Sequence, residues 1–278
     1  MSKKGIDVSK WQGEIDWKKV KEAGVEFAML RAGYGQGVVD PTFAKNAKAC
    51  NELGIDVGVY WFSYACNKSQ AIKEAEFCLA AIKNVKVTYP VCFDFEYDSA
   101  NYAKSKGVSV TKAFVTQLAD AFLNRIEEGG YYAANYQNLD YSKNYFDEKV
   151  MKRYDVWYAR YTDAPDRKCG LWQYSNKGKV DGISSNVDLD MAFKDYPTVI
   201  KKAGLNKLDT VQKEPVGTTA LKKGDKVKVK KAVQYDNGKP FKLYYDTYDV
   251  LQVKGDRVVI GIGIVVTAAV KAKYLKKV

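Results

Sequence analysis

The sequence predicts an α/β protein with two parts, a modified TIM-type (β/α) barrel and a small C-terminal all-β domain. The first 195 residues alternate short apolar runs with amphipathic stretches, in about five βα units followed by three strands. Strict βα alternation favours a parallel sheet, and eight such strands favour a closed barrel. A doubly wound open sheet is the alternative, although no GxGxxG follows the first strand. Beyond residue 220, alternating runs between turn signals favour an all-β unit.

The five βα units are justified by short apolar runs and by residues that begin or end helices. The predicted strands are residues 4–10, 25–33, 55–64, 89–95 and 131–136. Asp16 is placed to cap the first helix and Gly24 to end it, while Pro41 and Gly54 delimit the second. The predicted helices, where apolar residues recur at helical spacing, are residues 16–24, 41–54, 68–85, 111–130 and 138–153.

The alternation of strands and helices changes after the fifth βα unit. Three further strands are predicted with no room for full helices between them, at residues 154–161, 169–175 and 186–193. The last third of the barrel should therefore lack its helices. The residues after the eighth predicted strand no longer show this alternation. They are rich in polar residues and proline, which indicates a linker. The predicted organisation is a barrel over residues 1–197, a linker over 198–219 and the β domain over 220–278.

Composition excludes several classes of protein. Of the 278 residues, 46% are hydrophobic, no run is long enough to span a bilayer, and no signal-peptide core opens the chain, so we expect a soluble protein made without a Sec-type signal. Histidine is absent, which excludes Ser-His-Asp and Cys-His catalysis and histidine-ligated zinc. The five cysteines are widely spaced without CxxC, a pattern typical of buried thiols in a reducing cytosol.

Positive charge is concentrated at the C-terminal end. The chain carries a net charge of +12, and residues 216–278 hold fourteen Lys/Arg and five Asp, a net +9. This asymmetry predicts a second module that binds a polyanion. Charge alone would also allow nucleic acid, but no recognised nucleic-acid motif stands beside it.

Carboxylic acids stand at the ends of predicted barrel strands. Asp7 ends the first strand, Asp94 and Glu96 end the fourth, and Asp188 with Asp190 ends the eighth. The carboxyl ends of parallel barrel strands form the catalytic face. Because the first and last strands are neighbours in a closed barrel, we expect Asp7 and Asp188 to face each other, with Asp94 and Glu96 across the mouth.

The spacing of Asp94 and Glu96 favours a catalytic role. Residues i and i+2 of a strand share one face, with Cα atoms roughly 6.6 Å apart. Crowded, partly desolvated carboxyl groups raise the pKa of at least one member. A protonated acid beside ionised ones is what glycosidic cleavage requires, since one acid protonates the leaving oxygen while others stabilise positive charge on the sugar. The alternatives are that the two acids cap a helix or pair with lysine, or that the cluster binds Mg²⁺ or Ca²⁺.

Aromatic residues near the predicted strand ends are candidates for stacking on sugar rings. Each of them could instead belong to the core, although 21 Tyr and 5 Trp are more than packing usually requires. The candidates for substrate binding are Tyr60, Trp61, Tyr132, Tyr158 and Trp172, together with Asp190. Further aromatic residues at these ends are Tyr64, Trp157, Tyr161 and Tyr174.

Seven segments, in order over about residues 1–195, resemble glycoside hydrolase family 25, a lysozyme family often found in phage endolysins. They are "GIDVSKWQGEIDW" (5–17), "RAGYG" (31–35), "GVYWFSY" (58–64), "CFDFEY" (92–97), "WYARY" (157–161), "LWQYS" (171–175) and "GISSNVDLDMAF" (182–193).

The resemblance implies a modified (β/α) barrel that hydrolyses the β-1,4 bond between N-acetylmuramic acid and N-acetylglucosamine, without cofactor or metal. It assigns the proton donor to Glu96 and the orientation of the substrate's N-acetyl group to Asp94. The acetamido oxygen would act as nucleophile and form an oxazolinium-type intermediate. Asp7 and Asp188 are expected to complete the acidic cluster.

Two positions depart from the family pattern. Trp61 stands where the family often has histidine, and Asp190 stands where it often has an amide. Neither change removes a catalytic acid of the family. They bear on substrate contacts and on the pH optimum.

The C-terminal segment is similar to bacterial SH3-like cell-wall-binding modules. The expected partners are peptidoglycan and an anionic wall polymer, with neither nucleic acid nor membrane insertion. The whole chain is interpreted as an endolysin made in the host cytoplasm without a signal peptide and acting on the wall after release. The rival hypotheses are a catalytically silent wall-binding protein, an N-acetylglucosaminidase or chitinase-like barrel, and a carbohydrate-binding assembly in which the basic tail is the functional part.

Overall fold

The computed structural model describes residues 2–208 and 221–278. The chain divides into two compact units, Met1–Thr210 and Val211–Val278. Within the described ranges, no helix combines the length and the apolar character needed to cross a bilayer.

The first unit alternates strands and helices through most of its length. Its strands are β1 (Lys3–Val8), β2 (Phe27–Tyr34), β3 (Val38–Val39), β4 (Asp56–Phe62), β5 (Val91–Asp94), β6 (Ala133–Asn138), β7 (Asp155–Ala159), β8 (Leu171–Gly178) and β9 (Val187–Ala192). Its helices are α1 (Trp17–Glu22), α2 (Phe43–Leu53), α3 (Lys68–Ala81), α4 (Tyr97–Ser105), α5 (Lys112–Glu128), α6 (Leu139–Asn144), α7 (Glu148–Met151) and α8 (Tyr196–Lys202).

Eight of these strands close into a barrel. The sheet order is β1-β9-β8-β7-β6-β5-β4-β2, the barrel closes through a parallel β1–β2 pair, and the short strand β3 pairs with β2 outside the ring. The predicted closed barrel is therefore confirmed, and the open doubly wound sheet is excluded. Strand β9 runs antiparallel to both of its neighbours, β1 and β8, whereas the other ring pairs are parallel.

Helices α1 and α2 begin or end at the residues that the sequence predicted for these positions. The Asp16 side chain accepts hydrogen bonds from the backbone of Lys18 and Lys19 and begins α1. Gly54 ends α2 in the left-handed conformation, at φ 67°, which glycine adopts at no steric cost. Local sequence signals thus set where α1 begins and where α2 ends.

Alternation along the strands separates two apolar layers. Side chains such as Val57, Val91 and Phe93 face outward and pack against the helices. Their neighbours in sequence face the barrel interior, where Phe27, Met29 and Cys92 belong to a separate buried cluster. A one-residue change of register would exchange these two sets.

The structure differs from the prediction in three places. The helix expected over residues 138–153 is broken into α6 and α7, and helix α4 was not expected. The first part of the expected linker also belongs to the barrel unit, because α8 covers residues 196–202 and Tyr196 and Ile200 join the interior cluster. Asn206 donates to the backbone oxygens of Val87 and Tyr89 over 3.1 and 2.9 Å, closing the end where the parallel strands begin. Residues 209–219 of the linker lie outside the described residues.

The second unit contains a five-stranded antiparallel sheet with the order β13-β12-β11-β10-β14. Its strands are β10 (Lys226–Val229), β11 (Tyr248–Lys254), β12 (Arg257–Ile262), β13 (Val265–Lys271) and β14 (Leu275–Lys277). Val227, Val250 and Ile260 belong to its own buried cluster. The described part of this unit is therefore all-β, apart from a single 3₁₀ turn at Ala272–Tyr274, while its likeness to SH3 domains stays a prediction.

Candidate active site

A cavity of about 310 Å³ opens at the mouth of the barrel, where the parallel strands end. The four acids predicted to be catalytic, Asp7, Asp94, Glu96 and Asp188, all line it. The other lining residues are Ser9, Trp11, Gln12, Arg31, Tyr60, Phe62, Tyr136, Trp157, Tyr161, Gln173 and Asn176.

Two pairs of elements bring the acids together. Asp7 lies directly opposite Asp188 in the β1–β9 register, as expected for neighbouring first and last strands. Asp188 does not end its strand, however. It lies at the beginning of β9, which reaches the mouth because it runs antiparallel to the rest of the barrel.

Asp94 and Glu96 arrive from the end of β5. Asp94 is the last residue of the strand, and Glu96 is the N-cap residue of α4. The backbone N–H of Glu96 donates to Ser99 Oγ over 3.1 Å, which fixes the turn between strand and helix. Phe95 between them packs outward beside Phe93, so both acids face the cavity. Glu96 thus begins a helix and lines the site at the same time, which joins two interpretations that the sequence had left as alternatives.

The cavity keeps its acids protonated to unusually high pH. Burial, and then the negative charges of Asp188 and Asp98, raise the pKa of Glu96 to about 7. Burial also raises the pKa of Asp188 to about 6. Burial and the charge of Glu96 raise the pKa of Asp94 well above its usual range, and Arg31 opposes that rise. Glu96 can therefore hold a proton near neutral pH while remaining partly exposed to solvent.

Gln173 connects Asp7 to two tyrosines. Its Nε2 donates to Asp7 Oδ2 over 2.7 Å. Its Oε1 accepts from the hydroxyls of Tyr136 and Tyr161, over 3.1 and 2.9 Å. Three hydrogen bonds therefore fix the orientation of the amide and hold Asp7 in place.

Asp190 lies fully buried beside Asp7. Trp157 Nε1 donates to Asp190 Oδ1 over 2.7 Å. The other carboxyl oxygen of Asp190, Oδ2, is buried and has no hydrogen-bond partner among the described residues. Burial raises the pKa of Asp190 to about 7. Burial, followed by the charges of Asp190 and Asp188, raises the pKa of Asp7 well above its usual range.

Arg31 is the cationic side chain that lines the cavity. Asp40 holds it from behind, with its Oδ2 at 2.9 Å from Arg31 Nε and 2.8 Å from Nη2. Asp40 also accepts from the Thr42 hydroxyl over 2.7 Å. The guanidinium group is thereby fixed where it partly offsets the charge of Asp94.

Of the six residues predicted to bind substrate, only Tyr60 lines the cavity. Trp61 is fully buried in the outer layer and donates to Gly35 O, because neighbouring residues of a strand face opposite sides. Trp172 likewise faces outward and donates to Arg160 O. Neither tryptophan lines the cavity.

The other three residues predicted to bind substrate also lie outside the cavity. The Tyr158 hydroxyl donates to Asp166 outside the barrel, and the Tyr132 hydroxyl donates to Asp155 near the opposite end. Asp190 lies beneath the cavity and is fully buried, so it contacts Asp7 rather than the space that a substrate would occupy.

Several residues that line the cavity were not predicted from the sequence. Trp11 is 71% exposed at the rim, on a 3₁₀ turn whose N-cap is Ser9. Arg31 and Gln173 carried a signal, because each is a polar residue inside an apolar strand. Across the described parts of the chain, no group of three or more Cys, Asp or Glu side chains has an arrangement that could hold a metal ion.

Residues 6–183 match the family model of Glycosyl hydrolases family 25. Lysozyme M1 of Streptomyces globisporus is 29% identical over 197 residues, covering 66% of this chain and 65% of the relative. The uncharacterized protein YegX of Escherichia coli (strain K12) is 28% identical over 202 residues, covering 67% and 68%.

A solved structure of the modular autolysin LytC from Streptococcus pneumoniae, in complex with a synthetic peptidoglycan ligand, shares the fold. It superposes with a TM-score of 0.62 at 29% identity and covers 69% of this chain. The match spans about half of the autolysin, 47% of its length. Since the family model matches well over half of the 278 residues and its strand-end acids meet in one cavity, the chain belongs to glycosyl hydrolase family 25 and is a glycosidase.

Proposed function

We propose that the chain is an N-acetylmuramidase that hydrolyses the β-1,4 bond between N-acetylmuramic acid and N-acetylglucosamine in peptidoglycan. The observation that carries the proposal is Glu96, an acid at a solvent-accessible barrel mouth whose pKa is raised to about 7 beside three other carboxyl groups. The similarity to a protein named lysozyme supports the choice of substrate.

In the proposed reaction, Glu96 gives its proton to the glycosidic oxygen as the bond from that oxygen to the anomeric carbon breaks. The acetamido oxygen of the substrate attacks the anomeric carbon, and Asp94 orients the acetamido group. Water then opens the oxazolinium-type intermediate and delivers a proton back to Glu96. Asp7 and Asp188 lie across the cavity from Glu96. Asp188, whose pKa is raised only to about 6, supplies negative charge that stabilises the positive charge developing on the sugar.

The second unit is proposed to hold the enzyme on the cell wall. Residues 216–278 carry a net charge of +9, which suits an anionic wall polymer such as teichoic acid or the carboxylates of muropeptides. The all-β sheet of this unit is compatible with an SH3-like module. A catalytic barrel joined to a basic wall-binding unit supports an endolysin role, in which the protein is made in the host bacterial cytoplasm and acts on the wall after release.

The test is to identify the reducing-end sugar after digestion of purified peptidoglycan. The products are reduced with borohydride and analysed by mass spectrometry. Reduced muramic acid at the new ends is the expected result. Reduced glucosamine would instead indicate an N-acetylglucosaminidase, and the absence of new reducing ends would indicate a silent wall-binding protein.

A further inference from the structure

A second cavity, of about 380 Å³, lies on the outer wall of the barrel beside β6 and β7. It is lined by Gln137 and Val156, which alternate with the inward-facing Tyr136 and Trp157. In a regular (β/α) barrel a helix follows each strand and covers this outer face. Residues 160–170, which connect β7 to β8, contain no helix. The missing helix leaves a concavity, which we call the outer-wall pocket.

Gln137 gives the outer-wall pocket a buried polar group. The residue is only 4% exposed and lines the pocket. Its side-chain amide makes no hydrogen bond to the described residues and reaches the open space of the pocket. An acceptor on a bound ligand can therefore take a hydrogen bond from it.

The charges around the outer-wall pocket are mainly positive. Five cationic side chains line it, Lys152, Arg153, Arg167, Lys168 and Lys194, against two acidic ones, Glu148 and Asp155. Asp155 is already neutralised, since Lys194 Nζ lies 2.7 Å from its Oδ2 and the Tyr196 hydroxyl donates to the same oxygen over 2.8 Å.

The cationic side chains of the outer-wall pocket differ in whether they already have a hydrogen-bond or ion-pair partner. Arg167 donates to Ser142 Oγ over 2.5 Å, and its Nη2 lies 3.9 Å from Glu148. Lys152 and Lys168 are exposed, and neither pairs with a carboxylate within the described residues. Two free ammonium groups and one free amide therefore lie around the same space.

We propose that the outer-wall pocket binds a phosphate group. Lysine ammonium groups bind phosphate as point charges, and the Gln137 amide can donate to a third oxygen. Phosphate fits better than a single carboxylate because it carries more charge and more acceptor oxygens for these donors. The phosphate could belong to a phosphodiester of an anionic polymer or to a small soluble compound. The site is separate from the acidic cavity and does not depend on the proposed muramidase activity.

Cys169 supplies a local probe, because it lines the outer-wall pocket and is partly exposed. Cys66 is also partly exposed and lies between β4 and α3, so it serves as an internal reference, while Cys50, Cys78 and Cys92 are buried. The full-length protein is treated with a maleimide at one fixed pH, and the modification of each cysteine is followed by peptide mass spectrometry. Inorganic phosphate and polyglycerol phosphate are compared with chloride at equal ionic strength.

Phosphate is expected to slow the modification of Cys169 by about tenfold at saturation without slowing Cys66, since a bound anion blocks access to the pocket. The double variant Lys152→Ala/Lys168→Ala and the single variant Gln137→Leu should lose this protection. The matched control Lys143→Ala/Lys149→Ala removes two exposed charges from α6 and α7 that do not line the pocket. It should keep the protection. Thermal unfolding establishes that each variant is folded.

Protection by both phosphate compounds assigns the pocket to a phosphodiester polymer, and protection by inorganic phosphate alone assigns it to a small soluble phosphate. Equal protection by chloride, equal slowing of Cys66, or equal loss of protection in the Lys143/Lys149 control would overturn the proposal. Because the measurement does not involve cell walls, its failure is distinguishable from failure of the muramidase proposal.

Discussion

Gln173 donates a hydrogen bond from Nε2 to Oδ2 of Asp7 over 2.7 Å, joining β8 to β1 across the intervening strand β9. The same amide accepts from Tyr136 and Tyr161. Gln173 is therefore a positioning residue for Asp7. Gln173 holds the Asp7 carboxyl group in one orientation and lines only part of the cavity.

Gln173→Leu should lower the rate of wall lysis by about tenfold or more, because Asp7 loses its donor. Leaving buried polar groups without a partner should also reduce the free energy of unfolding by about 1–3 kcal/mol. Turbidity assays and denaturant titration measure the two effects. Tyr161→Phe removes one donor to the amide and should show a smaller loss. Wild-type lysis by Gln173→Leu would contradict the positioning role.

Glu96→Gln should keep the fold and abolish lysis, with a loss of at least about 10²-fold, the usual contribution of a general acid. Asp94→Asn should also be strongly impaired, and changes at Asp7 and Asp188 less uniformly. Turbidity loss of purified walls measures activity, and circular dichroism confirms folding. Glu22→Gln, an exposed position on α1, is the matched control. Near-wild-type lysis by Glu96→Gln would refute the assignment of the acid.

The basic limb of the pH–activity profile should follow Glu96. Activity requires its proton, so it should be lost as pH rises through about 7. The charge of Asp98 helps to raise this pKa. Asp98→Asn should therefore lower the pKa and move the basic limb to lower pH. Because Asp98 is exposed, the shift should shrink in high salt. If Asp98→Asn leaves the basic limb unchanged at low salt, the coupling between Asp98 and Glu96 is excluded. An equal shift of the limb in the control Asp181→Asn would exclude it as well.

Asp190 should make stability depend on pH. Folding raises its pKa to about 7, so the protonated acid is favoured in the folded state. Its contribution is fully present below its ordinary pKa and is lost as pH rises through about 7. The free energy of unfolding should thus fall between about pH 4 and 7. Asp190→Asn keeps an acceptor for Trp157 and should make this fall smaller. Thermal unfolding across this range tests the prediction, and an identical slope in both proteins would contradict it.

Removing residues 216–278 should weaken binding to purified walls at low salt. The deleted segment carries a net +9, and salt screens charges separated by more than a Debye length. The difference between full-length and truncated protein should therefore shrink at high salt. Co-sedimentation with walls measures it, and hydrolysis of short soluble glycan fragments serves as the control for an intact barrel. Equal sedimentation of both proteins at low salt would end the targeting proposal.

Most of the correct predictions came from the alternation of strands and helices and from the acids at strand ends. They predicted the closed barrel and brought Asp7, Asp94, Glu96 and Asp188 to one mouth. The direction of β9 was not predictable in the same way, because an alternating six-residue strand has the same pattern in either direction. Asp188 was therefore placed at the correct mouth but at the wrong end of the strand.

Two failures have distinct physical causes. Helix α4 was missed because it buries Ser99, Ala100 and Ala103, small residues that form no apolar stripe. The choice of Trp61 failed because a tryptophan suits either face of a strand. Only the register decides which face meets the cavity, and it places Tyr60 inside.

The reversed strand β9 also determines where polypeptide enters and leaves the barrel. Lys3 begins β1 opposite Ala192, the last residue of β9. Leu208, at the end of the first described segment, packs against the interior cluster. The start of β1 and the end of the first described segment therefore both lie at the end of the barrel opposite the acidic cavity. Circular permutation that joins them, or grafting of a foreign module at either one, should therefore leave the acidic cavity unchanged.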